Sequence, residues 1–296
     1  MEEQALVGMR GPVQTAGREV RLMPTGRCHL CLETRELRDS HFIPAAFYKL
    51  LRAPGEKNPH PVVVNRNTQK QTSQQYRGQL LCAICEDLFN KGGEKWVLTN
   101  GWRTETDFPL RNALLAATPI PSNPPHEAFA AASIPAVDVD QLTYFAASIF
   151  WRGCLRGWRG VAGDTPVRLD LGSYEEGLRL FLLGRRAFPT DAVLVTALGV
   201  SMEVARTGVV IPPWTKERHP GTGYEQHRFV VPGICFDMFT GHGIPTHWRD
   251  QCIVRSPNRL VHRSPSVDYW IFEDSQRGCV DLAGSRLRRK TGQPKS

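Results

Sequence analysis

Two pairs of cysteines carry the most specific chemical signal in the sequence. Cys28 and Cys31 are separated by two residues, and Cys82 and Cys85 repeat this spacing. A two-residue gap lets each pair present two thiolates to one metal ion, and zinc takes four such ligands in a tetrahedron. Because the pairs lie far apart in the chain, one ion would hold two distant segments together. A four-sulfur site leaves no open position for water, so we predict a structural Zn²⁺.

A histidine and a glutamate lie close to these pairs. His41 belongs to the segment DSHFIP at residues 39–44, and Glu86 directly follows the last cysteine. A histidine that is neutral near pH 7 suits the activation of water by proton abstraction. A carboxylate supplies hard oxygen ligands, which suit a divalent cation such as Mg²⁺ or Mn²⁺. A structural interpretation is equally open, in which His41 caps a helix and Glu86 stabilises the start of one.

The order of these features, CxxC, then SHxxP, then LLCxxCE, resembles the HNH (ββα-metal) endonuclease family, in its subtype with a four-cysteine zinc. The resemblance covers residues 27–96, about a quarter of the chain. It implies a zinc-stabilised ββα-metal domain, with His41 as the general base and Glu86 at a position that often binds the catalytic metal. It also implies an endonuclease that hydrolyses DNA phosphodiester bonds, with a role in bacterial defence against foreign DNA.

The sequence departs from the family pattern at two positions. The family usually has a metal-binding Asp before its first His, and here that residue is Ser40, with Asp39 one residue earlier. The family's middle Asn is replaced by Arg77, with Gln75 and Gln79 nearby. These departures favour an alternative function, a zinc-stabilised module that binds nucleic acid or a protein without catalysis.

The charge of the chain favours a polyanionic partner. Its formal net charge is +8, and contacts with phosphates dominate the affinity of proteins for DNA. The residues that we predict to contact nucleic acid are Arg38, Lys49, Arg77 and Lys91. An ordinary solvated surface is the alternative for each of them. Glu94, further along the helix predicted after Cys85, is expected to be solvated as well.

The composition is that of a globular protein, with 41% hydrophobic and 22% charged residues. No apolar run approaches the ~18–20 residues that a spanning helix needs, so we predict no membrane association. The first residues include two acids where a signal peptide would be basic, which predicts a cytoplasmic protein. Disulfides are rare in that compartment, so the cysteine pairs favour a metal over the alternative of buried free thiols.

A proline-rich segment provides the best domain boundary. Residues 117–136 contain five prolines, which remove hydrogen-bond donors and disfavour helix. The prediction is an α+β protein with a lead-in at 1–26, a zinc-bound HNH-like domain at 27–116, a linker at 117–136, an α+β domain with an antiparallel sheet at 137–285, and a basic tail at 286–296. The role of the second domain stays open, and we place a protein partner or an oligomer contact there.

The elements that position these residues follow from apolar periodicity and turn residues. Helices are predicted at 44–51, from the second cysteine pair to residue 96, at 140–151, and at 173–183, where Ser173 and Glu176 form a capping box. Strands are predicted at 61–64, 192–200, 208–211, 227–237, 251–254 and 269–272.

Overall fold

The computed structural model describes residues 24–50, 62–65, 68–71, 75–103, 107–122, 126–160, 168–199, 210–256 and 258–264. The predicted basic tail, the strand at 269–272 and the lead-in up to residue 23 lie outside these ranges. Within them, no helix combines the length and the apolar character that crossing a membrane requires.

A three-stranded antiparallel sheet carries the cysteine pairs. The elements of this part are β1 (Thr25–Arg27), β2 (Thr34–His41), α1 (Ala45–Leu50), the hairpin of β3 (Val62–Asn65) and β4 (Thr68–Gln71), and β5 (Arg77–Cys82). The sheet has the order β1-β2-β5, with Leu37 opposite Cys82 and His41 opposite Arg77. The register shifts between Arg38 and Asp39, and such a bulge changes the direction of the side chains that follow it.

A long helical segment starts where β5 ends. It consists of α2 (Ala83–Phe89), a π-helical turn (Asn90–Glu94) and α3 (Lys95–Asn100), and α4 (Pro109–Leu115) follows after a break. The predicted helix after the second cysteine pair is therefore present and extends past residue 96. Helix α2 packs against both β2 and β5.

The second half of the chain is built on a six-stranded sheet. Its elements are β6 (Glu127–Ala130), a 3₁₀ turn (Ala131–Ser133), α5 (Val139–Cys154), α6 (Tyr174–Leu182), β7 (Val193–Leu198), β8 (Ile211–His219), β9 (Tyr224–Val231), β10 (Ile234–Gly241), α7 (Thr246–Asp250) and β11 (Leu260–Arg263). The strand order is β6-β11-β7-β10-β9-β8, and β11 pairs with β7 in parallel while the other pairs are antiparallel. The predicted α+β class is confirmed, with a mixed sheet in place of a purely antiparallel one.

Two strand predictions in this half are wrong. The predicted strand at 227–237 is the end of β9 and the start of β10, because Pro232 and Gly233 form a turn between them. Gly233 has a φ of 76°, in the region that favours glycine. Residues 251–254 form a turn beyond α7 and belong to no strand.

Helix α5 joins the two sheets through one core. Its apolar residues are buried on all sides, and Phe150 packs edge-on against Phe229 of the large sheet, with ring centroids 4.9 Å apart. On the opposite side Trp151 packs against Phe89 of α2 at 6.0 Å. Gly93 of the π-helical turn lies against the backbone of α5. A Cβ at this position would be 2.6 Å from a carbonyl oxygen of α5. The core is continuous from the cysteine-bearing sheet to the large sheet, and the domain boundaries stay a prediction.

Candidate metal centre and the adjacent histidine

The four predicted zinc ligands come together where β1, β5 and α2 meet. Cys28 follows β1, Cys31 lies in the next turn, Cys82 ends β5, and Cys85 is in the first turn of α2. Their sulfur atoms all lie within 4.8 Å of one another, and those of Cys31 and Cys82 are 4.0 Å apart. A zinc tetrahedron with Zn–S bonds of ~2.3 Å needs sulfur separations of ~3.8 Å, so the cluster has the size that a metal ion requires. Among the described residues, no other group of three or more metal-ligating side chains is this compact.

The backbone around the cluster holds the sulfurs in place. The backbone N–H of Cys82 donates to the sulfur of Cys28 at 3.4 Å, and the N–H of Cys28 donates to the carbonyl of Glu33 at 2.9 Å. Leu32, which directly follows the first pair, has a φ of 67°. A left-handed conformation is unfavourable for leucine, so the chain accepts strain to close the turn that presents the first two thiolates.

The thiols interact strongly with one another. A hydrogen bond with Cys85, supported by backbone N–H groups, lowers the pKa of Cys28 to about 4, although burial acts in the opposite direction. The same hydrogen bond with Cys28 raises the pKa of Cys85, and burial raises the pKa of Cys31. Protons shared among closely spaced sulfurs are what a bound cation replaces, because metal ligation requires thiolates. The donor set therefore fits a structural Zn²⁺.

Helix α6 supports the first cysteine pair from the other half of the chain. The guanidinium of Arg179 donates to the carbonyl of Leu30, between the two cysteines, at 2.7 Å. The same guanidinium makes two hydrogen bonds with Glu176, at 2.7 and 2.8 Å. A cation at this place opposes the negative charge of the thiolates.

His41 ends β2, and one of its ring nitrogens is buried. Its side chain is half-buried, and Nε2 is buried with no hydrogen-bond partner among the described residues. Burial has the largest effect on its pKa and lowers it, and the positive charges of Arg77 and Arg152 lower it further. Asp39 and Glu94 act in the opposite direction. The imidazole is therefore neutral near pH 7, which is the form that can accept a proton from water.

Glu86 lies in the first turn of α2 and also has an unused acceptor. Its Oε1 is buried and has no partner in the described part of the chain. Ser40, at the position where the HNH family usually carries an Asp, is 1% exposed, and its hydroxyl donates only a long hydrogen bond to the carbonyl of Arg38. The carboxylate of Asp39, one residue earlier, forms an ion pair with Arg77 at 2.9 Å.

Three of the four predicted phosphate contacts already have acidic neighbours. Arg77 pairs with Asp39 as described, Arg38 lies 3.8 Å from Glu36, and Lys91 lies 2.6 Å from Asp87. Lys49 is exposed in the last turn of α1. Exposed pairs of this kind contribute only about 0–1 kcal/mol, so a phosphate can displace the acids at low cost.

The expectation that Glu94 is solvated is wrong. Its side chain is 13% exposed and forms an ion pair of 2.6 Å with Arg152, which is 1% exposed. The π-helical turn adds a residue to the helix and changes which side chains face α5. The adjacent Gly92 and Gly93 are the signal in the sequence, because glycines inside a helix mark a close approach of another element.

Comparisons with protein-family models, with curated proteins and with solved structures found no match. The HNH resemblance therefore depends on the motif residues themselves.

Proposed function

We propose that the protein is a metal-dependent endonuclease of the HNH type, which hydrolyses DNA phosphodiester bonds and carries a four-cysteine structural zinc. The observation that supports this proposal is that Nε2 of His41 and Oε1 of Glu86, the two residues of the motif, are both among the side-chain atoms that are buried without a partner in the described part of the chain. A buried polar atom that lacks a partner costs about 1–3 kcal/mol. A ligand, an ordered water or a reaction that uses the atom accounts for such a group.

The connection of the elements also supports the proposal. Strands β2 and β5 are antiparallel, and α2 follows β5 directly and packs against both strands. His41 ends one strand, and Glu86 begins the helix that follows the other. A zinc ion bound by the four cysteines would fix the junction of β5 and α2 to the turn between β1 and β2. The general base and the acidic residue would then be held on two elements that one ion clamps.

The residues divide the chemistry as follows. The neutral imidazole of His41 accepts a proton from water at Nε2, while the water oxygen bonds to phosphorus and one P–O bond of the diester breaks. A Mg²⁺ or Mn²⁺ held by Glu86 would supply neutralisation of the charge on the phosphate and the leaving oxygen. Arg38, Lys49 and Lys91 would contact neighbouring phosphates and hold the DNA. A role in defence against foreign DNA belongs to the same proposal and is supported by the resemblance.

A plasmid-nicking assay with the purified full chain in Mg²⁺ or Mn²⁺ tests the proposal. His41→Ala is expected to lower the rate by about 10²–10⁴, the usual contribution of a positioned base, with unchanged zinc content and DNA affinity. Glu86→Gln is expected to raise the metal concentration needed for half-maximal rate. The controls are His242→Ala, an exposed histidine, and Asp87→Asn, the exposed acid next to Glu86. Equal rates for His41→Ala and wild type, or no metal-dependent nicking by wild type, would contradict the proposal.

The second candidate is a zinc-stabilised module that binds nucleic acid or a protein without catalysis. Buried Ser40 favours it, because the family's metal-binding Asp is missing at that position. DNA affinity that falls steeply with salt, without nicking, would support the nucleic-acid form of this candidate. No DNA affinity at all would exclude both DNA functions and leave the protein-interaction form.

A further inference from the structure

Arg152 is a buried cation that connects α5 to the segment containing His41. Its guanidinium donates to Oε1 of Glu94 at 2.6 Å and to the carbonyl of Phe42 at 3.4 Å. It also lies over the ring of Phe89, 4.4 Å from the centroid. An ion pair taken out of water gains little stability compared with apolar residues of the same size. The Arg152–Glu94 pair beside the candidate site is therefore better explained by an effect on the position and the electrostatic environment of neighbouring residues than by a gain in stability.

The residue held by Arg152 directly follows His41. The backbone N–H of Phe42 donates to the carbonyl of Tyr76 at 3.0 Å, so both polar groups of its backbone are engaged. Its ring packs against Trp158 with centroids 5.3 Å apart, and the indole N–H of Trp158 donates to the carbonyl of Arg152 at 3.0 Å. The end of α5 and the residues after it thus fix the backbone on which the imidazole is mounted.

Among the described residues, four charged groups act on His41, each from a different element. Asp39 lies on the same strand, Arg77 on β5, Glu94 on the π-helical turn and Arg152 on α5. Asp39 and Arg77 are about half exposed, so water and salt screen their effect. Arg152 is buried and Glu94 is only 13% exposed, so their effect is screened less by salt.

We propose that Arg152 and Glu94 are positioning residues for His41, through which the second half of the chain fixes the place and the electrostatic environment of the imidazole. This inference rests on the proposed function, in which His41 is the general base. Arg152 holds the end of the strand through the Phe42 carbonyl. Glu94 fixes the guanidinium and balances its charge.

Glu94 and Arg152 act in opposite directions on the pKa of His41, so replacing each one gives a sharp test. We would titrate the His41 ring by NMR in the histidine-labelled full chain, with the signal identified by its loss in His41→Ala. Glu94→Gln removes a negative charge and should lower the pKa of His41. Arg152→Met removes a positive charge and should raise it. The acid limb of the nicking rate should move in the same directions.

The double variant Glu94→Gln/Arg152→Met protects the test against a loss of folding, because no unpaired charge stays buried. Its His41 pKa should lie between those of the single variants, with a changed ring chemical shift and a reduced rate. The matched control is Arg228→Met/Asp237→Asn, which removes a buried ion pair between β9 and β10 of the large sheet, outside the cysteine cluster and the candidate site. The control should leave the His41 titration unchanged.

The positioning role would be overturned if Glu94→Gln and the Glu94→Gln/Arg152→Met variant are folded and their His41 titration and ring chemical shift match those of wild type. A control variant that shifts His41 as strongly as the Glu94 and Arg152 variants would overturn it as well. If wild type shows no nicking, the proposed endonuclease fails. The NMR titration still decides whether the pair controls the imidazole, so the two failures are distinguishable.

Discussion

Replacing Cys85 with serine removes one of four sulfur ligands and tests how far the metal centre stabilises the chain. Structural zinc contributes about 10–16 kcal/mol in small modules, whereas a whole domain is stable by only about 5–15 kcal/mol. Loss of the ion therefore removes as much free energy as the fold has in reserve. Cys85 belongs to the same continuous core as Phe89 and α5. The unfolding should consequently extend from residues 27–96 into α5.

Metal analysis and hydrogen exchange together measure this prediction. Wild type should contain about one Zn²⁺ per chain, and Cys85→Ser should contain little or none. Hydrogen exchange followed by mass spectrometry should show lost protection in β2, β5 and α5 of the variant, and a strong chelator should reproduce it in wild type. Cys154→Ser is the matched control, because Cys154 is buried in α5 outside the cluster. It should keep the zinc and the protection of β2 and β5.

Two results would refute different steps of this reasoning. A folded wild-type protein without metal would falsify the zinc site itself. The coupling through the shared core would be refuted if Cys85→Ser loses zinc and unfolds at β2 and β5 while α5 keeps its full protection from hydrogen exchange. The metal would then stabilise the cysteine-bearing segment alone.

Gly93→Ala should lower the unfolding free energy by about 1–3 kcal/mol or more in urea, because a Cβ would meet the backbone of α5 at 2.6 Å. Gly221→Ala, where a Cβ meets nothing within 4 Å, should cost much less, and equal losses would contradict the close packing. Acid should also destabilise the protein through buried histidines, since burial lowers the pKa of His227 and His262 to about 4. Between about pH 6.5 and 4 the unfolded chain binds protons that the native chain does not. The unfolding free energy therefore decreases as the pH is lowered, by up to roughly 3 kcal/mol for each histidine. His262→Gln should lose less stability than wild type between pH 7 and 4.5. Any loss of zinc in acid affects both proteins, so it cancels in this comparison. Equal losses would show that His262 does not titrate in this way.

Features that depend on neighbouring residues were predictable from the sequence. The CxxC spacing predicted the four-cysteine cluster because a two-residue gap by itself sets the separation of two sulfurs. Apolar periodicity predicted α5, and Pro44 at the first turn predicted α1. The capping box at the start of α6 gave the correct helix, although the Ser173 side chain makes no capping hydrogen bond.

Features that depend on strand pairing were not predictable. Strand β6 lies inside the proline-rich segment that was expected to be a linker, because β11 pairs with it from more than a hundred residues away. Strand β11 itself was not predicted. Its short sequence gains a defined place only between β6 and β7. Such pairings involve distant residues, and no local pattern encodes them.

The candidate site depends most strongly on contacts of this distant kind. Glu94 and Arg152 are 58 residues apart, and Arg179 reaches the carbonyl of Leu30 across 149 residues. A fragment that ended before α5 would expose the ring of Phe89 and leave the Glu94 carboxylate without its cation. The motif residues of the first half therefore form only part of the candidate site. The geometry of His41 is as much a property of α5 as of the strand that carries it.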